Sequence, residues 1–157
     1  MKLQIKLRLA TRSDCIDVHR LICELAEYEK APHEVELSAQ QLEEDAFGKN
    51  PIVEIRVAEV DGKVVGAVLS YEKYSTWKGR SLHLEDIIVE KSYRGKGIGT
   101  LLFNEIISLC KKRNYGRLEW QVLDWNEPAI DFYKKYNTTF LHEWLSCRLT
   151  ANDLKKL

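Results

Sequence analysis

Three glycines at alternate positions, in Tyr93-Arg94-Gly95-Lys96-Gly97-Ile98-Gly99-Thr100, lead from a strand-like apolar run, Leu82 to Val89, into an amphipathic helical run, Ile98 to Cys110. A helix N-terminus presents unbonded N–H groups and a partial positive charge, and glycine lets a phosphate approach with no Cβ in the way. Arg94, Gly95, Lys96, Gly97, Ile98, Gly99 and Thr100 therefore form a candidate pyrophosphate cradle, which calls for a phosphate-bearing cofactor.

Spacing narrows the choice. A dinucleotide fingerprint needs G-x-G-x-x-G, whereas this loop reads G-x-G-x-G; a P-loop needs G-x-x-x-x-G-K-[ST], and Lys96 has neither the preceding glycine spacing nor a following Ser or Thr. Arg94-x-x-Gly97-x-Gly99 instead resembles the Q/R-x-x-G-x-G/A acetyl-CoA motif of the GNAT superfamily of N-acetyltransferases. In that family the loop amides hold the cofactor pyrophosphate, and no metal takes part.

The elements that must position this loop follow from periodicity. Leu3, Ile5, Leu7 and Leu9 alternate with polar residues, which predicts a half-buried strand over 3–9. Ser13 is a good N-cap for a helix carrying Ile16, Val18, Leu21, Ile22, Leu25 and Tyr28, ended at Ala31-Pro32. A weaker helix runs from Ser38 to Gly48, where glycine suits a left-handed C-terminal position. Strands over 52–60 and 63–74 flank Asp61-Gly62, a dipeptide that favours a tight hairpin turn. A strand over 81–90, the glycine loop and its helix, a strand over 117–124, a helix over 127–136 and a final strand over 139–150 complete the order. The fold class expected is α/β: one domain over 1–157, with a mixed, mostly antiparallel sheet and helices on both faces.

Composition sets bounds. With 157 residues, 24 basic against 24 acidic side chains and the signs interspersed, the chain lacks the basic footprint of a nucleic-acid binder. No apolar run approaches the about 18 residues of a membrane span, and the N-terminus alternates instead of running apolar. Cysteines 15, 23, 110 and 147 show no C-x-x-C pair and no histidine spacing for zinc, so they read as reduced thiols of a cytoplasmic protein, Cys147 as a core thiol.

A closer resemblance is to the diamine N-acetyltransferases of the same superfamily, the spermidine/spermine and thialysine group. It is carried by the segment from Leu21 to Glu29, Asp45-Ala46-Phe47-Gly48, Trp77-Lys78-Gly79, Leu84-Glu85-Asp86-Ile87-Ile88-Val89, the glycine loop, and Asp124-Trp125-Asn126-Glu127-Pro128-Ala129-Ile130-Asp131-Phe132-Tyr133. The resemblance implies that the backbone of Ile87, Ile88 and Val89 pairs with the pantetheine arm, and that Asn126 and Ala129 lie along the thiol end. It makes Tyr133 the general acid for the departing thiolate, and assigns Glu85, Asp86, Tyr28 and Glu29 to the amine site. It also implies a homodimer, for which Phe140 to Leu145 is a candidate interface strand. The segment from Thr138 to Trp144 is shorter than in the animal polyamine enzymes, so an acidic substrate contact there has no clear counterpart.

The residues fit that chemistry. An alkylammonium has a pKa of about 10.4, so the site must take a proton from it, directly or through water, and Glu85 is the candidate. Adjacent strand residues point to opposite faces, so only one of Glu85 and Asp86 touches the reacting nitrogen unless a bulge intervenes. Glu29, Glu85 and Glu119 would also attract a second positive charge on the acceptor. His83, two residues before Glu85, shares its face and is either a proton relay or a packed histidine. The expectation is acetyl transfer from acetyl-CoA to a primary amine of a small polyamine, diamine or thialysine-like amino acid by direct attack. Acetylation of a protein lysine or N-terminal amine, and a non-catalytic acyl-CoA sensor, stay open as alternatives.

Overall fold

A computed structural model describes residues 3–157, so Met1 and Lys2, which begin the alternating N-terminal run, lie outside the described residues. The chain divides between Gln121 and Val122 into two compact units.

In the first unit, β1 (Lys6–Leu9), β2 (Glu54–Val60), β3 (Lys63–Ser75), β4 (Gly79–Val89) and β5 (Leu118–Glu119) form a sheet in the order β1-β2-β3-β4-β5. All neighbours are antiparallel except β4 and β5, which are parallel. The helices are α1 (Cys15–Tyr28), α2 (Ala39–Phe47) and α3 (Ile98–Lys112).

Strand alternation sends successive residues of β3 to different helices. Ala67 and Leu69 join Val18 and Leu21 of α1 and Leu42 of α2 in one buried cluster. On the other face, a Cβ added to Gly66 would lie 3.1 Å from the side chains of Ile98 and Leu102 of α3. Helices thus cover both faces, as expected. The Asp61-Gly62 turn also forms as read, with φ of 49° and 79°.

Several expectations are corrected. Ser13 does not cap α1: Thr11 begins a short 3-10 turn over Arg12–Asp14, and Asp14 accepts hydrogen bonds from the Thr11 N–H at 2.7 Å and its hydroxyl at 2.9 Å. Arg8 of β1 clamps the same carboxylate at 2.6 and 3.0 Å and donates to Glu59 at 2.9 Å, which draws Asp14 down to a pKa of about 2 and ties β1 to the start of α1. Replacing Arg8 with Met should therefore lower stability by about 1–2 kcal/mol at pH 7, because the largely buried Asp14 carboxylate keeps its charge and loses its partner. Denaturant titration reads this directly. Gly48 is not left-handed but extended, with φ −74° and ψ −162°, and a Cβ there would collide with the Glu44 carbonyl.

β5 is two residues long where a strand over 117–124 was expected, because β4 offers it pairing only at Leu82 and His83. The second unit holds α4 (Glu127–Lys134) and α5 (Ala151–Leu154), and no strand forms over 139–150. Period-two hydrophobicity does not make a strand without a ladder partner, and this segment leaves Leu141, Trp144, Leu145 and Leu149 exposed. Cys147 is correspondingly exposed and not a core thiol. Among the described residues, no helix is long and apolar enough to cross a membrane.

Candidate active site

The site in the first unit is organised by a β-bulge. Leu69 pairs with Asp86 and Ser70 pairs with Leu84, leaving Glu85 as an extra residue in β4. A bulge breaks the alternation of faces. His83, paired with Tyr71, and Asp86, paired with Leu69, therefore stand on the same side of the sheet, the α1 side. Glu85 joins them: its carboxylate lies 3.4 Å from His83 Nε2, and its charge adds to burial in raising the Tyr71 phenol. The expectation that Glu85 and Asp86 face opposite ways gives way to the bulge.

α1 completes this acidic group. It ends at Tyr28, and Glu29 lies close enough to Asp86 for repulsion to be felt. Burial first, then the charges of Glu85 and Glu29, raise the Asp86 carboxyl to a pKa of about 6. Burial also raises Glu29. Three carboxyl groups near enough to feel one another's charge, two of them partly dehydrated, make an acidic group that favours a cation.

β4 leads from these carboxylates into the cradle. Because β5 pairs only with Leu82 and His83, no strand pairs with the outer edge of β4 over Ile87, Ile88 and Val89 among the described residues. Such an edge offers backbone donors and acceptors to a ligand. After a short turn the chain reaches Gly95 and Gly97, with φ of 73° and 82°, a conformation that costs a residue with a Cβ and that leaves open space where the Cβ would stand. Gly97 caps α3, whose first intrahelical bond runs from Leu101 N–H to the Gly97 carbonyl at 3.1 Å. The amides of Ile98, Gly99 and Thr100 are those a helix start leaves to an outside acceptor, so the loop fits a pyrophosphate.

Two side chains of the loop do something the sequence did not indicate. Arg94 donates from Nε to the Val89 carbonyl at 2.9 Å and stacks its guanidinium 5.1 Å from the Tyr28 ring centroid, joining the cradle to the end of α1. Lys96 Nζ lies 4.9 Å from the Tyr93 ring centroid. Glu119, expected near the amine, lies on β5 in register with His83, and Lys73 occupies its carboxylate at 3.1 Å. The charges that act on Asp86 are those of Glu85 and Glu29.

The second unit carries the remaining candidates. Asn126 is buried and caps α4, its Oδ1 accepting from the Ala129 N–H at 3.4 Å, with Pro128 in the first turn where a missing N–H costs nothing. Tyr133 is buried on α4, edge-on to Phe132 at 5.3 Å, and Thr138 closes the helix end by donating to the Tyr133 carbonyl at 2.8 Å. Asn137 takes the left-handed conformation there, φ 55°, in place of a glycine.

The sequence profile of the acetyltransferase (GNAT) family matches residues 17–137, a span that runs across the division between the two units. Thialysine N-epsilon-acetyltransferase of Mus musculus is 39% identical over 163 aligned positions, covering 97% of this chain and 96% of that protein. L-ornithine N5-acetyltransferase of Arabidopsis thaliana is 32% identical, covering 80% of this chain and 52% of its own. Among solved structures, an integron cassette protein from the mobile metagenome of V. cholerae superposes with a TM-score of 0.80 at 25% identity, covering 99% of this chain and 97% of its own. A possible acetyltransferase from Clostridium difficile 630 gives 0.76 at 24% identity, covering 93% and 97%, and speaks to the fold alone. The match across the sheet, the glycine loop and α4 means that this chain belongs to the GNAT family and is an N-acetyltransferase.

Proposed function

We propose that the protein transfers the acetyl group of acetyl-CoA to a primary amine of a small molecule that carries a second charged group, such as a diamine, a polyamine or a thialysine-like amino acid. The observation that carries this reading is the acidic group of Glu29, Glu85 and Asp86 on the strand that leads into the glycine loop. Relatives named for thialysine, spermidine/spermine and ornithine acetylation support it.

Acetyl-CoA supplies an activated thioester. The amides of the 95–100 loop hold its pyrophosphate, and the open edge of β4 over 87–89 offers hydrogen bonds to its extended arm. Glu29 and Asp86 attract the ammonium group, and Glu85 takes a proton from it so that nitrogen attacks directly. Tyr133 gives a proton to the departing sulfur. Asn126 and Ala129 serve that end by starting α4. The chain works as one domain over 1–157, a reading supported by a family match that spans both units. It is cytoplasmic, in keeping with its free thiols, and forms a homodimer that covers the exposed apolar residues between 141 and 149.

The test is CoA thiol release from acetyl-CoA with spermidine, spermine, putrescine, thialysine, lysine, ornithine and a lysine peptide at pH 7.5 to 9. Turnover of a small diamine or thialysine-like amino acid is the expected result. Turnover of the peptide alone moves the acceptor to protein. A rise in melting temperature with acetyl-CoA and no thiol release from any amine marks a sensor. Sedimentation at working concentration reads the dimer, and an 18 kDa species removes it.

A further inference from the structure

Glu85 is the extra residue of the bulge, so the regular pleat does not fix where its side chain points. Two neighbours do. Tyr71 and His83 are cross-strand partners, their rings tilted by 34° with centroids 4.9 Å apart, and the Glu85 carboxylate lies beside this pair. His83 Nε2 lies 3.4 Å from Glu85 Oε2, and Tyr71 lies near enough that, after burial, the Glu85 charge raises its phenol. His83 Nδ1 is buried with no hydrogen-bond partner among the described residues, so Nε2 is the ring nitrogen with a recipient for a proton. A neutral imidazole with its hydrogen on Nε2 donates to Glu85 and cannot at the same time accept from the substrate through that atom.

We propose that Tyr71 and His83 are positioning residues: a cross-strand clamp that holds the Glu85 carboxylate toward the incoming ammonium and replaces the directional control lost at the bulge. Of the two readings of His83, a packed histidine with an oriented donor is favoured over a proton relay. The inference rests on the role proposed above for Glu85. Without the clamp the carboxylate of an exposed strand residue samples several rotamers, and only a fraction of encounters find it aligned for proton removal. The loss should therefore appear in kcat and leave the binding of acetyl-CoA alone.

The experiment is a set of double-mutant cycles with the amine turned over fastest in the panel. Tyr71→Phe and His83→Leu should each lower kcat by about 5- to 20-fold, with acetyl-CoA affinity changed by less than about twofold. His83→Gln keeps an N–H donor but cannot titrate, and should recover most of the rate lost in His83→Leu. In a Glu85→Gln background, neither Tyr71→Phe nor His83→Leu should slow the enzyme further, since both act through a carboxylate that is gone. Losses that multiply in that background overturn the clamp, as does a normal kcat in both single variants beside an impaired Glu85→Gln. Failure of His83→Gln to recover activity overturns the positioning role of His83 and returns it to proton transfer. Full activity of Glu85→Gln, or no turnover of any amine by the wild-type protein, instead removes the role of Glu85 on which the clamp depends.

Discussion

Replacing Glu85 with Gln should lower kcat/KM for the amine by about 10²–10³-fold at pH 7.5, the range over which a positioned general base acts. The substitution keeps size and hydrogen-bonding capacity near Tyr71 and His83, so acetyl-CoA should still raise the melting temperature by its usual increment. The pH profile carries the stronger test. The neutral fraction of an amine of pKa about 10.4 rises tenfold per pH unit below that value, so an enzyme without its base gains as the solvent does the deprotonation. The deficit of Glu85→Gln should shrink steadily between pH 7.5 and 9.5. A deficit that stays constant over that range means that Glu85 binds the cation without taking its proton. Tyr133→Phe should cost less, about tenfold, because a thiol of pKa near 8.5 leaves tolerably without a donor.

Replacing Asp86 with Asn should stabilise the ligand-free protein by about 2–3 kcal/mol at pH 7 to 8, the free energy of a carboxyl displaced by about two pKa units. The direction follows from the sign of the displacement. The folded protein holds the Asp86 proton up to a pKa of about 6, against an ordinary value of 3.8, so between these values the folded state binds more protons than the unfolded one. The contribution of Asp86 to stability is therefore greatest below pH 4, declines as pH rises toward 6, and stays at the lower level above it. Asn at this position should flatten that part of the profile and raise the melting temperature at pH 7 by several degrees, with Glu85 and Glu29 as the remaining charges facing the site. The same change should weaken a dicationic substrate, whose second ammonium compensates the carboxylate in the wild type. A melting-temperature difference between Asp86→Asn and the wild type that is the same at pH 4 and pH 7 would contradict the strained carboxylate. Such an arrangement trades stability for binding, which is the pattern expected of a functional site.

Much of the site was legible before the fold. The cradle is local: Gly95 and Gly97 need positive φ and α3 begins at Ile98, all within one short run whose glycine spacing and following helical period state the geometry. The hairpin at Asp61-Gly62 is legible for the same reason. Ser13 looks like the cap of α1 in isolation, but the helix opens from a 3-10 turn over Arg12–Asp14 whose Asp14 accepts from Thr11, and that turn depends on Arg8, a residue of β1, holding Asp14. The final strand failed more fully. Alternating apolar residues over 139–150 satisfy the pattern of a strand, but a strand exists only where a neighbour supplies its hydrogen bonds, and pattern carries no information about the neighbour.

What the amino-acid sequence determined by itself is therefore the chemistry available: a glycine turn opening a helix that suits a phosphate, an adjacent pair of carboxylates, and the blocks that mark an acetyltransferase. Their types and near spacing suffice, because the backbone conformations they require are set within a few residues. The arrangement of that chemistry belongs to the tertiary structure. Alternation along β4 would separate Glu85 from Asp86, and it is the register of β3 against β4, slipped by one residue at Leu69 and Ser70, that brings both carboxylates to the side where α1 delivers Glu29. Register is fixed by the packing of two whole strands between α1 and α3, and no local pattern in β4 announces it.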